Sequence, residues 1–198
     1  MFFTVYTCTF RRKALYDQCR CSMLRSSYAV TQQGSRPKTK LTLMKKSAVI
    51  SDCQQYRYEL RRVWDDSKPF VLFVGLNPSA ANAEIEDNTS RVCINYAKRW
   101  GYGGLLLGNL FAYQSTDQSA IYRVADPIGP KNDSWLKKLQ EEATLVVCAW
   151  SATGAYQSRN QAVLSFLRNP HCLTKLKSGH PGHPLYKRSY LQPVPYKF

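Results

Sequence analysis

The chain is short of acid. Its 198 residues carry 13 Asp and Glu against 28 Lys and Arg, a net charge of +15. A field of that sign attracts polyanions, nucleic acid first and anionic membrane second. Long apolar runs are also lacking: none approaches the ~20 residues that a bilayer-spanning helix requires. The seven cysteines are odd in number and contain no CxxC pair, which excludes a disulfide framework and a zinc ribbon. Cys93 and Cys148 fall in apolar runs and read as small core residues. Of the three histidines, His171, His180 and His183, no pair makes a common zinc spacing with Cys172, so no metal is expected. Ser79 and Ser151 are not set in GxSxG, and no Gly-rich phosphate cradle is present. No cofactor is expected either. Glu84, Glu86 and Asp87 read as a solvated stretch before a helix, with Asp87 near its positive end, rather than as an acid/base pair. No internal repeat is visible.

The positive charge is uneven. Residues 1–43 hold eight basic residues and one acid (8 − 1 = +7), and residues 44–198 hold the remaining 20 and 12 (20 − 12 = +8). The first stretch has neither helical nor strand period. It reads as a transit-like leader, a disordered basic arm, or sequence upstream of a natural start at Met44-Lys45-Lys46-Ser47. The domain expectation is therefore a basic, disordered or non-native extension over 1–46 and a single α/β domain over 47–198. Free cysteines fit a reducing compartment: the cytoplasm, or an organelle if residues 1–43 are a transit segment.

Past Gln55 the pattern becomes regular. Tyr56, Tyr58 and Leu60 alternate with Arg57, Glu59 and Arg61, the period of a half-buried strand. Residues 70–75 are a continuous apolar run, as in a strand covered on both faces. A helix capped by Asn88 or Thr89 runs to Trp100 and ends at Gly101. A strand is expected over 105–110, a short helix after Thr116-Asp117, a helix over 133–143 and a strand over 144–149. A helix over 155–167 and a strand over 171–176 follow, and residues 177–198 read as loop. Strands alternating with helices predict a three-layer α/β sandwich. Its mostly parallel central sheet has about four strands, with helices on both faces and an extra N-terminal strand.

In such a sheet, ligands bind beyond the carboxyl ends of the strands. Gly75-Leu76-Asn77-Pro78-Ser79 follows the first core strand, and Asn109 and Phe111 end the second. Trp150-Ser151 follows the third, and the loop carrying His180, His183 and Leu185 follows the fourth. Amides, hydroxyls, aromatics and histidines thus converge on one edge. Each has a plainer reading as well: Asn77 as a turn cap, Asn109 as a satisfied structural amide, Trp150 as core, and the His-Pro loop as a rigid connection.

The strings GLNPSAANAEIEDNTSR, RWGYGGLLLGNLFA, ADPIGPKND, VVCAWSATG and GHPGHPLY, in that order over about residues 55–196, resemble the bacterial and phage family called domain of unknown function 1643. More remotely, the same blocks resemble the uracil-DNA glycosylase superfamily. That resemblance implies hydrolysis of the N-glycosidic bond of a uracil-like or modified base, with DNA as partner. Asn77 would then position water and His180 would stabilise the departing base. Gly75, Leu76, Pro78, Ser79, Asn109, Phe111, Trp150 and Ser151 would bind the base, and Leu185 would fill the gap that a flipped base leaves. Arg91, Lys98, Lys175, Lys177, Lys187 and Arg188 would contact phosphates. Alternatives are a non-catalytic nucleic-acid or nucleotide-binding module of the same fold, and a hydrolase of a small nucleoside-like metabolite. The chain departs from the superfamily pattern where an HPSP-type loop would carry serine, having His180-Pro181-Gly182-His183-Pro184-Leu185.

Overall fold

The computed structural model describes residues 43–79 and 81–197. Seven strands form one sheet in the order β1-β2-β4-β3-β5-β6-β7. They are β1 (Lys45–Ile50), β2 (Arg57–Val63), β3 (Phe70–Gly75), β4 (Gly104–Asn109), β5 (Ala143–Cys148), β6 (His171–Cys172) and β7 (Val194–Pro195). The helices are α1 (Asn88–Arg99), α2 (Asn132–Glu142) and α3 (Arg159–Leu164). Neighbours β4, β3, β5 and β6 run parallel, whereas β1, β2 and β7 pair antiparallel at the two sides.

The expected sheet of about four strands is thus too small, although the α/β class holds. β1 lies in a polar stretch whose side chains are half-buried at most, so no apolar period marked it. It takes in Lys45 and Lys46, so ordered structure begins inside the expected extension 1–46. The rest of that extension, through residue 42, lies outside the described residues. β7 is two residues long in a stretch read as loop. The fourth parallel strand is likewise only His171–Cys172, not 171–176. The expected helix over 155–167 is divided: a 3-10 segment, Ala152–Ser158, carries extended and left-handed backbone at Tyr156 and Gln157, and α3 is only six residues long.

Two apolar clusters cover the two faces. Leu72, Val74, Leu106, Val146 and Cys148 pack with Leu136 and Leu139 of α2 and Val163 of α3. Val71, Phe73, Leu105, Leu107 and Val147 pack with Cys93, Ile94, Tyr96 and Ala97 of α1. The alternation along β3 is what splits them, since successive side chains point to opposite faces. Both faces of the central strands are buried, which is why β3 and β4 read as unbroken apolar runs. α1 is capped by Asp87, not by Asn88 or Thr89. The Asp87 carboxylate accepts from Ser90 N (2.7 Å), and Ser90 Oγ accepts from Asp87 N (3.1 Å), a capping box.

From β3 the chain passes to β4 through α1, then crosses back over β3 to β5 through α2 on the other face. The direction of winding reverses at β3, and a crevice opens beyond the carboxyl ends at such a point.

Candidate functional site

A cleft of about 390 Å3 opens at this reversal. After β3 it is lined by Gly75, Leu76, Asn77 and Ser79; at the end of β4 by Asn109; after β5 by Ala149, Trp150, Ser151 and Thr153. The segment before α1 adds Asp87, and the loop before β7 adds His183, Leu185 and Tyr186. Ser115, Thr116 and Gln118 close another side, and Arg57 of β2 completes the wall.

Asn109 is 3% exposed, and its Nδ2 is buried without a hydrogen-bond partner among the described residues. A buried amide donor left unmade costs about 1–3 kcal/mol, so the fold holds it there at a loss. Room for the amide is made by Gly75, which pairs with Asn109 in register. A Cβ on Gly75 would stand 2.7 Å from Asn109 Oδ1, and every other neighbour of that Cβ lies at 3.9 Å or beyond. Gly75→Ala is therefore expected to displace this amide and little else. Ligand affinity should fall roughly tenfold, the worth of one good hydrogen bond, with the melting temperature nearly unchanged. Calorimetric titration beside a thermal melt checks it.

Asn77 is tied down. Its Nδ2 donates to Ser115 O (3.0 Å) and Pro78 O (3.2 Å). Its Oδ1 makes no hydrogen bond among the described residues, so the group it offers the cleft is an acceptor in a fixed place. Ser151 has φ 61° and ψ −169°, a region that side chains other than glycine's rarely enter, at a cost of about 1–3 kcal/mol. Its N–H donates to Pro181 O (3.0 Å), which joins the end of β5 to the His-Pro loop. That loop is pinned by Leu176 N to His180 O (2.8 Å) and Gly182 N to Thr174 O (2.8 Å).

The structure places His183, not His180, on the cleft wall; His180 is buried and is not part of the lining. His183 Nδ1 accepts from Leu185 N (3.2 Å), so the ring proton of the neutral form sits on Nε2. Burial pushes the His183 imidazole below its ordinary range, and the nearby Asp87 charge opposes that shift. Phe111 is fully buried, 5.9 Å between ring centroids from Tyr156, and belongs to the core rather than the cleft. Pro78 is buried and contributes its carbonyl to the Asn77 anchor. Trp150 is 0% exposed yet lines the cleft, with Nε1 buried and unpartnered among the described residues.

The six basic candidates are scattered. Arg91 follows cleft residues Thr89 and Ser90, and Lys187 and Arg188 follow Tyr186. Lys98 lies in the last turn of α1, about 15 Å along the helix from its start, with Nζ 5.2 Å from the Trp64 ring centroid. Lys175 Nζ donates to Lys197 O (2.8 Å), and Lys177 is exposed. Sequence reasoning missed Arg57, Asp87, Tyr186 and the 115–118 segment as cleft residues. None of these lies at the carboxyl end of a parallel strand, so no strand-end pattern marks them.

Among the described residues, no group of three or more His, Cys, Asp or Glu is placed to hold a metal ion, and no helix is long and apolar enough to cross a membrane.

The chain belongs to the family described as Protein of unknown function (DUF1643), whose model matches residues 57–185, more than half of the 198. No curated protein and no solved structure was found to match it.

Proposed function

We propose that this member of the DUF1643 family binds a nucleobase in the cleft and hydrolyses its N-glycosidic bond. The observation that carries the reading is the buried Asn109 amide, a residue of the wall of a cleft of nucleoside size, whose donor has no partner among the described residues. A carboxamide presents a donor and an acceptor side by side, the pattern that a nucleobase edge complements. The remote resemblance to uracil-DNA glycosylases points the same way.

In this reading the C–N bond lengthens, the sugar takes on positive charge, and the base leaves with the bonding electrons. Asn77 Oδ1, held as a fixed acceptor, orients a water towards the sugar carbon. Donors aimed at the departing base stabilise the charge it develops. His183, neutral with its proton on Nε2, is the donor best placed, in the role that the sequence resemblance gave to His180. Ser151 and Thr153 add hydroxyls, and Tyr186, exposed beside His183 at 6.3 Å between ring centroids, supplies a stacking face. Arg91, Lys187 and Arg188 supply phosphate contacts at the rim for a DNA substrate.

The test is release of free base. Duplex and single-stranded oligonucleotides carrying uracil or modified bases, together with free nucleosides and nucleotides, are incubated with the protein and the base is quantified by chromatography. Release from at least one substrate is expected, and Asn77→Ala should lower it. If nothing in the panel loses its base while ligands still bind, the reading gives way to a non-catalytic binding module.

The same assay has an expected pH profile. His183 has a depressed pKa, so its neutral form prevails above the ordinary value of about 6.5 and for some distance below it. Stability and activity that depend on neutral His183 are complete at neutral pH. Stability declines as the pH falls from about 6.5, where the unfolded chain takes up the proton, down to the depressed value; activity declines as the pH falls through the depressed value, when Nδ1 gains a proton and loses the Leu185 N–H. An acid limb of base release lying below about pH 6.5, and absent in His183→Asn, is the expected result.

A further inference from the structure

Three guanidinium groups are buried among the described residues: Arg57 (2% exposed), Arg62 (0%) and Arg159 (3%). Arg62 is paired with Glu86 and Arg159 with Asp133. Arg57 has no carboxylate at ion-pair distance among the described residues. It donates from Nη1 to Ala81 O, and its Nε is buried with no partner among the described residues. Arg57 is also the one of the three that lines the cleft. Burying a charge without a counter-charge is costly, and the desolvation is deep enough to lower the Arg57 guanidinium to about 10. It stays cationic at neutral pH and waits for an anion.

The neighbouring backbone accounts for how it gets there. The β1–β2 register shifts between Val49 and Ile50, whose partners are Glu59 and Arg57. Beyond the shift Arg57 meets Ala81 on the α1 face, while Tyr58 stacks on Trp135 of α2 at 6.4 Å between ring centroids. Asp87, the acid nearest in effect, is already committed as the cap of α1.

We infer that Arg57 is an anion-binding residue inside the cleft and that the ligand class is a nucleoside carrying a terminal phosphate, with its base on Asn109 and its phosphate on Arg57. This rests on the nucleobase reading of Asn109 and narrows it. A cleft of about 390 Å3 lies at the low end of the ~300–1,000 Å3 range of small-molecule sites, enough for one nucleotide. The depth of Arg57 favours a free monophosphate over a phosphodiester. A diester would have to draw both flanking chain segments into the cleft, whereas backbone phosphates are ordinarily met by exposed cations at a rim.

The experiment is calorimetric titration of the full chain with the common nucleoside 5′-monophosphates, the matching nucleosides, inorganic phosphate and short oligonucleotides, at constant ionic strength. At least one monophosphate is expected to bind about 10- to 100-fold more tightly than its nucleoside, as a charge-assisted hydrogen bond provides. That preference should collapse in Arg57→Gln and return in large part in Arg57→Lys, with melts checking that both variants are folded. Inorganic phosphate should compete with the nucleotide on the wild type and raise its melting temperature where equal chloride does not, a readout independent of the variants. Equal affinity for nucleoside and monophosphate, an Arg57→Gln variant that keeps the preference, or a wild type indifferent to phosphate would each overturn the inference. So would binding confined to oligonucleotides and unaffected by Arg57→Gln. Its failure and that of the hydrolysis reading are separable. Phosphate-dependent binding without base release leaves the anion site standing, and base release without any phosphate preference leaves only the hydrolase.

Discussion

Asn109→Ala should leave the fold at least as stable as the wild type while weakening the ligand about 10- to 100-fold, the range for a paired amide contact to a base edge. Ordinary buried asparagines do the reverse, because removing one leaves its partners unmade. Here Nδ2 has no partner to abandon, and deleting it lifts a desolvation penalty of about 1–3 kcal/mol. The alanine loses some packing at a site that is 3% exposed, so the two effects partly offset, with a melting temperature unchanged or a few degrees higher. A thermal melt and a titration on the same preparation decide it. A drop of several degrees would mean that the amide supports the fold, and the cleft would lose its strongest claim to a ligand. Gains of stability on removing a polar group are expected where function, not folding, put the group there.

Arg62→Ala should be the most destabilising single change, at about 3–5 kcal/mol, the usual cost of breaking a buried ion pair from one side. Arg62 has 0% exposure. Its Nε bonds Glu86, its Nη1 donates to Ser47 O (3.2 Å) and Arg61 O (2.8 Å), and its Nη2 donates to Asn82 O and Ile85 O. One side chain therefore fastens β1 and the 82–86 segment to β2. That segment leads into Asp87, a wall of the cleft, so ligand affinity should fall together with stability. Denaturant midpoints measure the first effect. The double variant Arg62→Met, Glu86→Gln should recover part of the loss, since it leaves no uncompensated charge. If Arg62→Ala costs less than ~1 kcal/mol, comparable with an exposed pair, the network does not hold the segment.

The two arginines show where sequence reading stops. Arg57 and Arg62 both sit in the strand pattern Arg57-Tyr58-Glu59-Leu60-Arg61-Arg62, and alternation alone sends them to opposite faces. The register shift at Val49/Ile50 breaks that alternation, and such a shift follows from pairing with a strand that carries no apolar pattern of its own. His180 and His183 differ by three positions in a proline-rich loop. Which of them faces the cleft depends on bonds from Thr174, Leu176 and Ser151 to that loop, none of which has a local signature.

Local chemistry was enough for the rest. β3 coincides with the apolar run 70–75 because a strand covered on both faces must be apolar throughout. α1 and α2 lie within a residue or so of their expected spans because caps and the 3.6-residue period are short-range. Alternating strands and helices imply a parallel core, and a parallel core implies ligand-facing strand ends, so Asn77, Asn109, Trp150 and Ser151 were legible as neighbours of one edge. Long-range pairing alone decided that the sheet has seven strands, that Phe111 turns into the core, and that a buried arginine without a carboxylate partner among the described residues lines the same cleft as the buried Asn109 amide. These depend on which distant segments share the interior, and the free energy of that choice is spread over contacts that no stretch of sequence contains by itself.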